Sequence, residues 1–136
     1  MRARRGFTLL EALIGIALAG LLAAAGATTI PALLASAQLS SATFRLATNL
    51  RLARGRALAT GSPVTVRFTS TPSSYDAPAT ATPVVLPPGV RFVALPARRR
   101  VLFSALGEGE NATLVLGTGR TTRQVVVNQR GRVRVP

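Results

Sequence analysis

The 136-residue sequence contains no cysteine, histidine or tryptophan, and only four acidic residues. Without thiol or imidazole groups, the chain lacks disulfides, the nitrogen and sulfur ligands that metals use most, and every Ser/His or Cys/His catalytic arrangement. Only Glu108 and Glu110 lie close enough in sequence to form a carboxylate dyad, and carboxylates in such a glycine-flanked turn are usually just solvated. The composition therefore predicts a protein that is not an enzyme and that needs no metal or cofactor.

Lysine is absent as well, so all 17 basic residues are arginines, and the formal net charge is +13. The planar guanidinium group suits phosphate, and a strongly basic protein attracts nucleic acid or anionic lipid through its long-range field. GC-rich coding offers a second explanation, because it favours Ala, Arg, Gly and Pro regardless of function. Composition alone leaves both explanations open.

An uncharged, mostly apolar run covers residues 12–30. As a helix it would extend roughly 28 Å, close to the ~30 Å hydrocarbon thickness of a bilayer. Arg2, Arg4 and Arg5 precede the run, and the positive-inside rule keeps such a basic end in the cytoplasm. We therefore predict a single-pass membrane protein, with its N-terminus cytoplasmic and the residues after about 31 on the other side of the membrane.

Two simpler interpretations of this N-terminus compete. A secretory signal peptide would be cut at small residues such as 23–25, and an ordinary anchor would stay intact. The run is longer than the 7–15 residues of a signal-peptide core, and Glu11 lies near its start, where an unpaired carboxylate in lipid costs a few kcal/mol. A retained acid at this position indicates a specific role.

The N-terminal segment reads Arg4-Arg5-Gly6-Phe7-Thr8-Leu9-Leu10-Glu11 and resembles the recognition sequence of type IV prepilins. The resemblance implies that a prepilin peptidase removes the leader, residues 1–6, by cutting between Gly6 and Phe7, and then N-methylates the Phe7 amine. It also implies that residues 7–31 form a helix that lies first in the lipid of the bacterial inner membrane, with the following residues periplasmic. The same helix would then lie in the core of a pilus or pseudopilus with other pilin or pseudopilin subunits. Glu11 would neutralise the Phe7 amine during assembly, since an unpaired buried charge penalises a misplaced subunit.

The remaining residues, 32–136, are expected to form a globular head. The helix should loosen at Gly26 and Pro31, resume to about residue 60 and end at Gly61-Ser62-Pro63. Its predicted apolar stripe comprises Leu39, Leu46, Leu50, Ala53 and Ala57. Short β-type runs follow, which predict strands at 63–69, 90–95, 99–105, 112–117, 123–128 and 132–135. Residues 70–83 are rich in Thr, Pro, Ala and Ser and are predicted to form a loop.

Residues 51–68, and Val125-Val126-Val127-Asn128 followed by Gly131-Arg132-Val133-Arg134, resemble the GspH/FimT group of minor pilins and pseudopilins. This resemblance implies an α+β, type IV pilin-like fold, in which a long N-terminal helix packs on a small antiparallel β-sheet head. It leaves two functions open. The subunit could serve a type IV pilus that takes up DNA, or it could be the H-type minor pseudopilin of a type II secretion system that exports proteins.

Arg130, Arg132 and Arg134 alternate with smaller residues, so in an extended strand all three would face one side, about 6.6 Å apart. DNA-uptake members of the group carry a Gly-Arg-x-Arg motif associated with DNA binding, which implies DNA contact by Arg130, Gly131, Arg132 and Arg134. Further arginines extend this surface only if the sheet order brings them to it: Arg98, Arg99, Arg100, Arg120 and Arg123. A solvated strand face that limits aggregation, or a surface for a protein partner, would explain the same row.

Overall fold

A single helix, α1 (Leu9–Thr60), forms the N-terminal part of the computed structural model, which describes residues 8–78, 80–119 and 121–136. The helix continues without a break through Pro31. The chain divides into two compact units, Met1–Leu34 and Ala35–Pro136. In the first unit the apolar side chains of α1 are exposed, and the helix is long and apolar enough to cross a membrane.

The described residues of the second unit form eight antiparallel strands in two four-stranded sheets. The first sheet has the order β3-β2-β1-β5, and the second has the order β4-β6-β7-β8. The strands are β1 (Val64–Ser70), β2 (Ser73–Tyr75), β3 (Val84–Val85), β4 (Arg91–Ala94), β5 (Arg100–Phe103), β6 (Ala112–Gly117), β7 (Thr122–Val127) and β8 (Val133–Arg134). Six of them lie where the sequence predicts strands, although β8 is shorter than expected.

The predicted loop at residues 70–83 is wrong at Ser73–Tyr75, which forms β2, and the strand β3 was not predicted. Tyr75 explains the difference. It pairs with Phe68 across β1 and β2, its ring is buried, and Asn49 Nδ2 donates a hydrogen bond to its hydroxyl at 2.8 Å. Burial raises the pKa of the Tyr75 hydroxyl above its ordinary value, against smaller opposite effects of this hydrogen bond and of the Arg45 charge.

The predicted stripe of α1 is confirmed as its core-facing side. All five of its residues are buried in one hydrophobic cluster with residues of both sheets, among them Phe103 of the first sheet and Leu114 of the second. Leu50 is 0% exposed, whereas Leu52, two positions along the same helix, is 50% exposed. The helix therefore provides the surface on which both sheets of the head pack.

We expect Leu50→Ala to lower the free energy of unfolding by about 2–5 kcal/mol, because it removes buried methyl groups and leaves a cavity. Leu52→Ala is the matched control on the exposed side of α1 and should cost less than about 1 kcal/mol. Urea unfolding of the full chain in a neutral detergent can be followed by the fluorescence of the single tyrosine, since tryptophan is absent. Equal losses in the two variants would contradict this placement of the core.

Candidate functional site

Glu11 and Thr8 form a reciprocal cap at the start of α1. The Thr8 N–H and hydroxyl donate to Glu11 Oε2 at 3.1 Å and 3.0 Å, and the Glu11 N–H donates to Thr8 Oγ1 at 3.3 Å. This arrangement is a capping box, whose sequence signal is Thr-x-x-Glu before an apolar run. The cap was not predicted although this signal is present, and Glu11 was expected to act only in assembly. Gly6 and Phe7 lie outside the described residues.

The Gly-Arg-Val-Arg segment begins in a tight turn between β7 and β8. The Gly131 N–H donates to the Asn128 carbonyl at 2.9 Å, and the Arg132 N–H donates to Asn128 Oδ1 at 2.8 Å. Gly131 has a φ of 70°, a left-handed conformation that reverses the chain. Arg130 therefore lies in the turn. The predicted row of three arginines in one extended strand is wrong for Arg130, because alternation begins only after Gly131.

Arg132 and Arg134 do share one face. Val133 between them is buried and pairs with Val127 of β7, whereas Arg134 pairs with Val126, and both arginines are exposed. Because side chains alternate along a strand, the two arginines lie on the solvent side of the second sheet. None of the four strands of this sheet contains an acidic residue.

Arg123 lies on the opposite side of the same sheet. It pairs with Leu116, which is buried, and it lies on the same side of β7 as the buried Val125 and Val127, two and four positions along the strand. Arg123 is nevertheless exposed, because it is the second residue of β7 and lies at the end of the sheet, where it borders a depression with Leu39 of α1. It does not extend the surface of Arg132 and Arg134.

The arginines at 98–100 belong to the first sheet and its preceding turn. Arg100 begins β5 and pairs with Arg67 of β1. Arg99 has a φ of 47° in a turn closed by its N–H, which donates to the Pro96 carbonyl at 2.8 Å. Arg98 forms an exposed ion pair with Glu110 at 3.6 Å. These residues therefore do not join Arg132 and Arg134 on one sheet, and Arg120 lies outside the described residues.

Arg91 was not predicted to belong to this surface. It pairs with Gly117, and Gly117 pairs with Thr122, which places Arg91 on the same side of the second sheet as Arg134. The two lie on the opposite edge strands, three strand spacings or roughly 14 Å apart across the sheet. The alternation of Arg91 with the buried Phe92 was the available signal.

Two arginines of α1 contact β8 and the β7–β8 turn from the side of the helix. Arg51 Nη2 donates to the Val133 carbonyl at 3.2 Å, and Arg54 Nε donates to the Gly107 carbonyl at 2.9 Å. Gly131 lies against both partners of the second bond, since a Cβ there would be 2.7 Å from Arg54 Nε and closer still to the Gly107 oxygen. Carbonyl oxygens satisfy these guanidinium donors without cancelling their charge. The surroundings of Arg132 and Arg134 therefore stay strongly positive.

No cluster of three or more acidic side chains that could hold a metal ion exists in the described part of the chain. Glu108 and Glu110 lie together beside β5, where Glu110 is engaged by Arg98. What this arrangement offers chemically is hydrogen-bond donation and positive charge, which suit the binding of anionic groups rather than catalysis.

Comparison with known proteins agrees with this geometry. Residues 1–27 match the prokaryotic N-terminal methylation motif, and residues 42–131 match the family of type II transport protein GspH. No curated protein matches the sequence significantly.

Two solved structures share the fold. The type IV minor pilin FimU of Pseudomonas aeruginosa strain PAO1 has 16% sequence identity and a TM-score of 0.59, over 74% of this chain and 90% of that one. The minor pseudopilin EpsH of the Vibrio cholerae type 2 secretion system has 14% identity and the same TM-score, over 73% of this chain and 96% of that one. The predicted fold, a long helix packed on antiparallel sheets, is confirmed.

We expect Gly131→Ala to lower the free energy of unfolding by at least about 2 kcal/mol, because a left-handed conformation and a collision with the Gly107 carbonyl act together. Gly61→Ala is the matched control, since Gly61 has a φ of 60° but open space around its Cα, and it should cost only about 1 kcal/mol. Urea unfolding measures both variants. Equal costs would show that the contact of Gly131 with Gly107 and Arg54 does not constrain the turn.

Proposed function

Because the chain belongs to the GspH family of type II transport proteins, we propose that it is a minor pilin or pseudopilin subunit that enters a pilus-like filament after its leader is removed. The fold is that of minor pilins and pseudopilins, and the proteins that share it are filament subunits, not enzymes. The N-terminal methylation motif supports a leader of residues 1–6. The exposed apolar part of α1 supports membrane anchoring by residues 7–31, with residues 32–136 as the periplasmic head.

Glu11 has two roles in this proposal. Its capping box with Thr8 defines the start of α1. Its carboxylate also forms an ion pair with the Phe7 amine of an adjoining subunit. Cleavage of the leader exposes this amine, which is then N-methylated. In an apolar filament core each charge would otherwise remain unpaired, at a cost of several kcal/mol. Charge pairing at Glu11 therefore selects a correctly placed subunit.

A pair of Glu11 variants separates the two roles. Glutamine keeps the capping box but loses the charge, whereas alanine loses both. We expect Glu11→Gln and Glu11→Ala to be cleaved normally, with N-methyl-Phe7 found by mass spectrometry, and both to enter sheared filaments at least about tenfold less than the wild type, because an unpaired amine is left. Normal incorporation of Glu11→Gln would assign Glu11 to the cap alone. An N-terminus near residue 25 would remove the prepilin assignment altogether.

We infer further that the filament takes up DNA and that Arg132 and Arg134 contact the phosphates of the DNA. The observation that carries this step is a sheet without acidic residues on which Arg132 and Arg134 are exposed on one face. Arg51 and Arg54 lie nearby and are bonded to carbonyl oxygens, so they add positive charge that no carboxylate cancels. Alternate residues of a β-strand are about 6.6 Å apart, which is comparable with two phosphate steps of one DNA strand at ~3.4 Å each along the helix axis. Phe68, Phe92 and Phe103 are buried and cannot stack on bases, and the exposed Phe44 borders Val84 of the first sheet. Binding at Arg132 and Arg134 therefore depends on phosphates and not on sequence.

The salt dependence of DNA affinity tests this inference. Removing an arginine that binds one phosphate should reduce the slope of log affinity against log salt by about 0.9, and we expect this change in both Arg132→Gln and Arg134→Gln. Arg123→Gln is the matched control, because it removes the same charge from the opposite side of the same sheet. Fluorescence anisotropy of labelled duplex DNA with the full chain in neutral detergent gives the slopes. Unchanged slopes in the Arg132 and Arg134 variants, or an equal change in the control, would reject the site.

A second function is favoured by the family description as type II transport proteins: an H-type pseudopilin that acts in pseudopilus assembly and protein export. The same fold and the same role of Glu11 serve both functions. Normal filament incorporation together with no effect of Arg132 and Arg134 on DNA affinity would favour export.

A further inference from the structure

Arg67 and Arg100 face each other directly across β1 and β5 of the first sheet. Their chain neighbours Val66, Phe68 and Val101 are buried, so both arginines are on the solvent side, Arg67 exposed and Arg100 half-buried. Directly opposite residues of an antiparallel pair have Cβ atoms about 4.5–5.5 Å apart, and like charges there destabilise the sheet. Because arginine stays protonated in proteins, loss of a proton cannot remove this repulsion.

Neither Arg67 nor Arg100 forms an ion pair with any described residue. The ion pair between Arg98 and Glu110 is the only one among the described residues. Asp76 donates its N–H to the Arg67 carbonyl at 3.0 Å, but its carboxylate forms no ion pair in that part of the chain. The Nε atom of Arg100 is buried without a hydrogen-bond partner, a state that folded proteins usually avoid. The pair is therefore suited to an external anion that would bridge it.

The depression beside β5 indicates what kind of anion. The Glu110 N–H donates to the Leu102 carbonyl at 3.0 Å, which brings the Glu110 side chain next to Arg98 and Arg100. Glu110 Oε2 is buried without a hydrogen-bond partner, whereas the Glu110 side chain as a whole is 36% exposed, so its carboxylate can still accept from a donor outside the chain. A phosphodiester offers acceptors only and could not donate to Glu110. A peptide with an acidic side chain offers a carboxylate for the arginines and an N–H group for Glu110.

We propose that this face docks an acidic segment of a different protein chain, with a carboxylate bridging Arg67 and Arg100 and a main-chain N–H donating to Glu110. A second copy does not fit, because the formal net charge of +13 makes copies repel each other and the sequence has only four acidic residues. One of them lies in the apolar helix and another is held by Arg98. The proposal does not depend on DNA binding by Arg132 and Arg134.

Binding of a short labelled peptide of alternating glutamate and alanine to the full chain in neutral detergent tests the site. Arg67→Gln and Arg100→Gln should each weaken binding at least about tenfold, since each removes a charge-assisted hydrogen-bonding group. Arg91→Gln is the matched control, because it removes an exposed strand arginine from the second sheet. It should change the affinity less than about threefold.

Thermal unfolding supplies a readout that a merely structural role would not give. Without peptide, Arg67→Gln should raise the Tm by about 1–5 °C, because it removes the repulsion with Arg100. At one peptide concentration that saturates the wild type, the Tm of the wild type should rise more than that of Arg67→Gln. A lower Tm for Arg67→Gln without peptide would mean that the pair stabilises the sheet, and it would overturn the proposal.

Three other results would also overturn it. Unchanged peptide affinity in both Arg67→Gln and Arg100→Gln would show that the pair is not the site. An equal loss in Arg91→Gln would show that only net charge matters. A loss of duplex DNA affinity in Arg67→Gln as large as that in Arg134→Gln would show a phosphate site, and thus a DNA surface, on the first sheet. Failure of the DNA site itself would appear separately, in the Arg132 and Arg134 variants.

Discussion

The packing of the α1 stripe against both sheets is the interaction on which the head depends. Leu46, Leu50, Ala53 and Ala57 are all fully buried, and strands of both sheets contribute to the same cluster. The sheets have no strand in common, so the helix is the element that gives them a shared core. Because burial of apolar area is the main favourable term in folding, the head is stable only as long as this helical surface is intact.

The sequence has far more arginines than carboxylates, and three arginines of α1 form hydrogen bonds to carbonyl oxygens instead of ion pairs. Arg51, Arg54 and Arg56 donate to the carbonyl oxygens of Val133, Gly107 and Pro78. Hydrogen bonds of this kind satisfy the donors and cross-link the helix to loops and to an edge strand, but they leave the charge in place. A head built in this way is both stabilised by arginine and strongly positive, so the interactions that support the fold also create the field that attracts acidic partners.

The sequence predicted those helices and strands whose apolar residues recur at a regular spacing along the chain. The stripe of α1 and strand β6 follow from simple periodicities, and the capping box at Thr8 and Glu11 was equally readable. Strand β2 was missed because Ser73–Tyr75 has a turn-like composition, and only the burial of Tyr75 against distant residues makes it extended. Arg130 was misplaced for a related reason, since alternation does not reveal the reversal at Gly131.

Which arginines share a face is a property of sheet order and register, and no local pattern contains it. Arg123 and Arg134 lie on adjacent strands but on opposite sides, while Arg67 and Arg100, 33 positions apart in the numbering, are direct neighbours. Acidic residues add a second distinction. The second sheet presents its arginines without any acid among its strands, whereas Glu110 lies beside Arg100 at the first sheet and requires a hydrogen-bond donor. Net charge attracts anions to both surfaces alike, so the proposed difference between a phosphate surface and an acidic-peptide surface depends on the carboxylate acceptors beside the first sheet.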